Sequence, residues 1–262
     1  MSAQDAAHDP DAREQGFLSH LVELRSRLLR AVLAVLLGFI ALVPFADVLY
    51  ARLAAPLLAK LPAGAQMVAI DVASPFFAPL KLAFFVALVL AMPVVLYQLW
   101  AFVAPGLYRN ERKLAVPLLV SAVTLFYTGC AFAYWLVLPL VFGFLTGVVP
   151  EGVAMMTDIS RYLDFVLVLF LAFGFSFEVP VAVVILAAMG WVDVAQLRAA
   201  RSYVIVGAFV VAAVVTPPDV VSQLLLAIPM CLLYEAGIVA ARLLARSAPA
   251  ADADGSDVDA GA

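Results

Sequence analysis

The chain has 262 residues, 66% of them hydrophobic and 13% charged, with a formal net charge of −4 and a mean hydropathy of +1.09. A soluble domain carries about 25% charged residues, so this chain cannot cover itself with polar surface in water. Lipid is the solvent that fits, and it admits only helices or closed barrels. The apolar stretches are long and lack period-two alternation, which excludes a barrel, and no basic stripe suggests nucleic acid.

Much of the acid lies in two tails, Asp5, Asp9, Asp11 and Glu14 at the front and Asp252, Asp254 and Asp257 at the back. Residues 1–16 and 246–262 are expected to be disordered tails around a membrane domain at 17–245. Next comes Ser19-His-Leu-Val-Glu-Leu-Arg-Ser-Arg27, where Leu21, Leu24 and Leu28 give an apolar face. It reads as an amphipathic helix on the membrane surface. The first span is predicted from about Leu28 to Ala46. The second runs from Lys81 to about Trp100, inside a stretch of 27 uncharged residues from Leu82 to Tyr108, more than the ~20 needed to cross. The third is predicted from near Leu114 to Val137, and the fourth from about Tyr162 to Ala188. The fifth, Tyr203 to Val215, and the sixth, Val220 to Ala241, both read as short, because Asp219 and Glu235 enclose only 15 residues. Thinning of the bilayer or burial against other helices is the expected adjustment.

Lys and Arg set the orientation. With the N-terminus inside, 11 of the 15 basic residues fall on the inner side, so both termini are expected in the cytoplasm and the even number of spans agrees. The outer connections, about Asp47 to Pro79 and Pro139 to Arg161, are long enough for a structured cap with short helices on the membrane. The two halves do not match in hydropathy, which argues against an inverted-repeat transporter.

Four acids need an explanation. Glu178, in Phe173-Gly-Phe-Ser-Phe-Glu-Val-Pro180, follows 13 uncharged residues after Asp164 and falls near mid-membrane, where a bare carboxylate is costly and marks function by default. A protonated Glu bonded to a neighbouring helix is the bland alternative. Glu23 lies among Arg25, Arg27 and Arg30, where topology needs no acid. Glu111 lies among Arg109, Arg112 and Lys113 in the first inner loop, where local ion pairs are the bland alternative. If Glu23 and Glu111 share one level at the inner surface, two carboxylates there suit a ligand with paired guanidinium groups, since Arg meets carboxylate in bidentate geometry. Asp219 follows Thr216-Pro-Pro and precedes Gln223. It reads as the cap of the sixth helix, or as part of a polar cluster that binds a partner helix.

Cys130 and Cys231 sit in apolar runs without disulfide or metal spacing. There is no P-loop, nucleophile elbow or zinc motif, and His8 and His20 have no catalytic partner. An enzyme is not expected, and no cofactor. A small-solute transporter with Glu178 as proton relay, or a structural scaffold, are the rival classes.

Several ordered blocks then resemble one family: His20-Leu-Val-Glu-Leu-Arg25, Asp71-Val-Ala-Ser-Pro-Phe-Phe77, Tyr97-Gln-Leu-Trp-Ala-Phe-Val-Ala-Pro-Gly-Leu-Tyr108, Glu111-Arg112, Phe175-Ser-Phe-Glu-Val-Pro180 and Thr216-Pro-Pro-Asp219. From about Phe17 to Leu244 the chain resembles TatC, the multispanning subunit of the twin-arginine protein translocase. The resemblance implies an all-α integral membrane protein of the bacterial inner membrane. It implies six helices in a curved, glove-like wall with both termini cytoplasmic. It implies a receptor for twin-arginine signal peptides of folded precursors, which assembles with TatA- and TatB-like single-span proteins and with itself for proton-motive-force-driven export. By the same resemblance Glu23 and Glu111 bind the arginines, Phe102, Leu107 and Arg109 shape the site, and Arg25 supports it. Glu178 lies on the concave face. Thr216, Asp219 and Gln223 match the partner-docking region, and Pro56, Asp71 and Phe76 match the outer cap. Arg109 stands where many members carry Lys, which keeps the charge.

Overall fold

The computed structural model describes residues 10–58, 67–103, 115–147, 156–216 and 219–247. Regular structure among them is helical apart from one parallel bridge between Val68 and Asp158, as expected where backbone polar groups have no water to pair with. Helix α1 (Pro10–Leu42) passes through a tight turn at Val43–Phe45 into α2 (Ala46–Leu58). Pro44 lies in that turn. Helix α3 spans Ser74–Val103, and α4 spans Ala115–Phe132. Helix α4 continues through a widened turn at Ala133–Val137 into α5 (Leu138–Gly147). Then follow α6 (Ile159–Ser176), α7 (Val179–Ala188), the short α8 (Val194–Ala199), α9 (Arg201–Val215) and α10 (Val220–Ser247).

Five helical runs among the described residues are long and apolar enough to cross a membrane: 21–55, 74–102, 116–147, 159–188 and 220–243. The 15-residue α9 is a shorter apolar helix. At ~1.5 Å per residue α9 covers only about 22 Å, so the expectation of a short fifth helix holds. The expectation for the sixth does not. Helix α10 has 28 residues, because Glu235 does not end it: the carboxylate meets Arg201 of α9 at 2.6 Å and the helix continues. A charge with a partner need not end an apolar run. Helix α5 likewise carries the third run ten residues past Val137, and α1 reaches back to Pro10, into the segment assigned to the front tail.

Prolines explain the irregularities. Pro139 has no N–H for the Trp135 carbonyl, and the residue just before it, Leu138, sends its N–H back five residues to Ala133, a π-turn that absorbs the misfit. Pro180 acts similarly on the fourth run. Helix α6 stops at Ser176, residues 177–178 form a tight turn in which Glu178 N–H bonds Phe175 O at 3.1 Å, and α7 restarts at Val179.

The core lies between α4, α5, α6, α9 and α10, with Phe126, Phe173, Leu138, Leu163, Leu169 and Leu226 fully buried. Helix α1 docks on α3 through a small-residue seam, where a Cβ at Gly38 would lie 3.4 Å from Ala87 Cβ. The rest of its face, including Leu33, Leu37 and Ile40, is exposed and suits hydrocarbon. Helices α4 and α6 approach more closely still. A Cβ at Gly129 would fall 2.6 Å from the Phe173 carbonyl oxygen, and backbone of a packed helix cannot yield as a flexible side chain can. Gly129→Ala is therefore expected to destabilise the fold by ~1–3 kcal/mol, read as a lowered unfolding temperature in detergent, whereas Gly207→Ala, with open space around it, leaves that temperature unchanged.

Candidate functional site

Glu23 lies on α1 one turn before Arg27. Its Oε1 accepts from Arg27 Nε at 3.0 Å and from Nη2 at 2.5 Å. The spacing of four residues makes this a helix-surface pair, and both groups keep contact with solvent. Arg25, two residues on, is exposed. Phe102 lies in the last turn of α3, partly buried. Leu107, Arg109 and Glu111 lie outside the described residues.

Glu178 occupies the break between α6 and α7, not a helix interior. Its Oε1 is buried and finds no hydrogen-bond donor among the described residues, an unusual state for a carboxylate that asks for an explanation. The break is fixed from both sides. Ser176 Oγ donates to the Ala172 carbonyl, and a Cβ at Gly237 of α10 would fall 2.9 Å from Pro180 Cα, so α10 closes on the restart of α7. A groove of about 390 Å³ runs past the break. Phe175, Ser176 and Val179 line it from one side, Val211 and Val215 from α9, and Met230 from α10. The lining is almost wholly apolar.

At the far end of α9, Thr216 is buried and its hydroxyl donates to Ala212 O at 2.8 Å. Asp219 caps α10 as expected: Oδ1 accepts from Ser222 N at 2.7 Å and its carbonyl accepts from Gln223 N at 3.2 Å. Asp219 Oδ2 and Ser222 Oγ are both buried without a hydrogen-bond partner among the described residues. Ser222 is 1% exposed and was missed from sequence. Ser is not the Glu or Gln that a capping box places three residues after the cap, so the sequence alone does not mark it. Gln223 is partly buried beside them.

The opposite connections meet at a clasp. Asp158 Oδ1 accepts from Ser160 N at 3.0 Å and Arg161 N at 2.9 Å, capping α6, while Oδ2 accepts from Ile70 N at 3.1 Å. Val68 N donates to Thr157 O and Ile159 N to Val68 O. Asp71, exposed, receives Ser74 N on its carbonyl at 3.1 Å, and Phe76 packs edge-on against Phe77. Pro56 lies within α2. The N–H donors of Arg161 and Ile70, with Ser160 and the Arg161 charge behind them, hold the Asp158 carboxyl below the usual carboxylate range.

The family model for TatC, the Sec-independent protein translocase protein, matches residues 19–229, a stretch that contains every site residue expected from the sequence. The chain belongs to the TatC family. It is 60% identical over 244 residues to a Sec-independent protein translocase protein TatC of Azotobacter chroococcum, covering 92% of this chain and 96% of that one. The TatC of Escherichia coli K12 is 57% identical over 228 residues, 87% of this chain and 88% of that one. A crystal structure of a twin arginine translocase receptor, TatC, superposes with a TM-score of 0.77 at 38% identity, over 87% of this chain and 100% of the other. This TatC-family chain is therefore a multi-pass inner-membrane component of a protein translocase and not an enzyme.

The clasp makes a pH prediction. A carboxyl whose folded value is depressed contributes stability above its unfolded value, near 4, and loses it as pH falls through the folded value. Unfolding temperature in detergent should drop between pH 6 and pH 3 more in the native chain than in Asp158→Ala, which should already be lower at pH 6. Equal drops in both would remove the clasp from the account.

Proposed function

We propose that this chain is the receptor subunit of a twin-arginine translocase, with its N-terminus, C-terminus and α1–α3 peptide site on the cytoplasmic side. The observation that carries the proposal is the Glu23–Arg27 pair. Glu23 already holds a guanidinium through two nitrogens, so the carboxylate is placed and aligned for the group that a twin-arginine peptide supplies. The resident pair lies half-buried on the helix surface, and a surface pair of this kind contributes only ~0.2–1 kcal/mol. An incoming arginine with a second arginine beside it can displace Arg27 at low cost. Glu111 supplies the second acceptor, Phe102, Leu107 and Arg109 shape the site around the neighbouring residues of the peptide, and Arg25 supports it.

Single-span TatA- and TatB-like helices then dock on the wall that α6, α7, α9 and α10 form. The apolar groove suits a helix face, and Glu178 offers one polar contact beside it. Thr216, Asp219 and Gln223 offer a second at the end of the α9–α10 pair. In hydrocarbon such polar contacts give ~0.6–2 kcal/mol each and orient the partner. The machine needs no nucleotide site on this subunit if the membrane potential and proton gradient supply the work. Glu178→Ala is expected to reduce co-purification of a single-span partner and export of a folded reporter, whereas Glu178→Gln, which keeps a hydrogen-bonding group, retains more of both.

The test of the receptor site is equilibrium binding of a labelled twin-arginine peptide to the purified chain. Glu23→Ala should weaken binding about tenfold, the value of a lost charge-assisted contact, and Glu111→Ala more than that. Arg27→Gln should hold binding steady or strengthen it, because it frees Glu23. Unchanged affinity in Glu23→Ala, Glu111→Ala and the double variant would sink the receptor proposal.

A further inference from the structure

A second cavity, of about 440 Å³, opens between the first turns of α3 and α6 at the clasp end of the bundle. Both helices start at this end and run into the membrane side by side, and Ser74 and Ser160 join them through a hydroxyl–hydroxyl bond of 2.8 Å. The helix ends themselves are closed. Asp158 occupies the leading amides of α6, and the Asp71 and Ala73 carbonyls occupy those of α3. Any ligand must therefore meet side chains.

The charged side chains of the cavity are unevenly satisfied. Lys81 meets Asp164 at 2.6 Å, and Asp158 is filled by three backbone donors. Asp71 and Arg161 remain, both exposed and both lining the cavity. The ion pairs among the described residues are Glu23–Arg27, Lys81–Asp164 and Arg201–Glu235, so Asp71 and Arg161 make no contact ion pair among them, and Arg161 acts on Asp158 only at longer range. One cation and one anion held apart across a single cavity match a ligand carrying the opposite two charges a few ångströms apart. The rim adds a second requirement. Ile70 is 78% exposed and Phe77 59% exposed, large apolar groups beside a charged floor. The cavity lies at the ends of the span-length apolar runs 74–102 and 159–188, where a membrane-crossing helix meets the headgroup layer.

We propose that this cavity binds the headgroup of a zwitterionic phospholipid with a primary ammonium. The phosphate meets the guanidinium of Arg161 with Lys81 behind it, in the bidentate geometry Arg favours. The ammonium donates to Asp71, and the glycerol and first methylenes lie against Ile70 and Phe77. A quaternary ammonium cannot donate a hydrogen bond to Asp71, and a glycerol headgroup brings no cation, so ethanolamine lipid is preferred over choline and glycerol lipids. The bound lipid would tie the clasp to the bilayer where α3 and α6 enter it.

The test is native mass spectrometry of the full chain released from detergent with equal amounts of phosphatidylethanolamine, phosphatidylcholine and phosphatidylglycerol. Retention of the ethanolamine lipid is expected to exceed that of the others, and to fall about fivefold in both Asp71→Asn and Arg161→Gln. Arg52→Gln, an exposed basic residue of α2, should leave it unchanged. Soluble phosphoethanolamine should compete and inorganic phosphate should not. Equal retention of the three lipids, unchanged retention in both cavity variants, or displacement by inorganic phosphate alone would overturn the proposal.

Discussion

In hydrocarbon a backbone N–H or C=O without an internal partner costs several kcal/mol, and that constraint organises this molecule. It forces the chain into helices, and it makes each interruption of a helix a place where something else must be supplied. The π-turn before Pro139 supplies a longer backbone bond. The break before Pro180 supplies a 3₁₀-type bond from Glu178 N–H to Phe175. The α9–α10 turn supplies the Asp219 carboxylate as a cap. The clasp supplies Asp158 to two chain segments at once. Among the described residues with buried unpartnered polar atoms, Thr157, Glu178, Asp219 and Ser222 lie at these interruptions, while Gln98 and Arg242 lie within α3 and α10.

The same constraint explains how one short helix is tolerated. Helix α9 is too short for a full hydrocarbon layer, yet its first residue is fixed to α10 through Arg201–Glu235 and its last turn is closed by Thr216 and Ala212. Tyr234 OH adds a bond to Leu197 O at 2.7 Å, tying α10 to α8. Helix α10 continues past the start of α9 and packs on α7 instead. The wall is therefore thinner on its α9 side than on its α10 side. The apolar groove between α9 and the broken α6–α7 run lies at that thin part, and the proposed partner contact at Glu178 is beside it.

Much of this was legible in the sequence. Hydropathy and the gaps between charges located each apolar run, and Asp219 was readable as a cap because Asp before an apolar run is a helix start. What failed depended on partners distant in sequence. Glu235 reads as a break in the uncharged stretch until Arg201, 34 residues earlier, is seen to pair with it. Asp158 reads as one more loop acid until Ile70 arrives across 88 residues of chain. Arg27 reads as a topology signal, although the four-residue spacing from Glu23 was sufficient to suggest the pair. Asp71 and Arg161, from different connections, acquire meaning only when α3 and α6 start side by side. Residues 104–114 carry Leu107, Arg109 and Glu111 and lie outside the described structure, so half of the proposed peptide site rests on the sequence.

In the proposed receptor site Glu23 is the acceptor for one of two paired guanidinium groups. The most direct measurement places this chain in a strain that lacks its own subunit and follows a folded reporter behind a twin-arginine leader, alongside the same leader with both arginines changed to lysine. Lysine keeps the charge but cannot form the two-nitrogen contact that Arg27 makes now. Export is expected with the arginine leader, and a large loss with the lysine leader. Equal export of both, or retention of both in the cytoplasm, would contradict it.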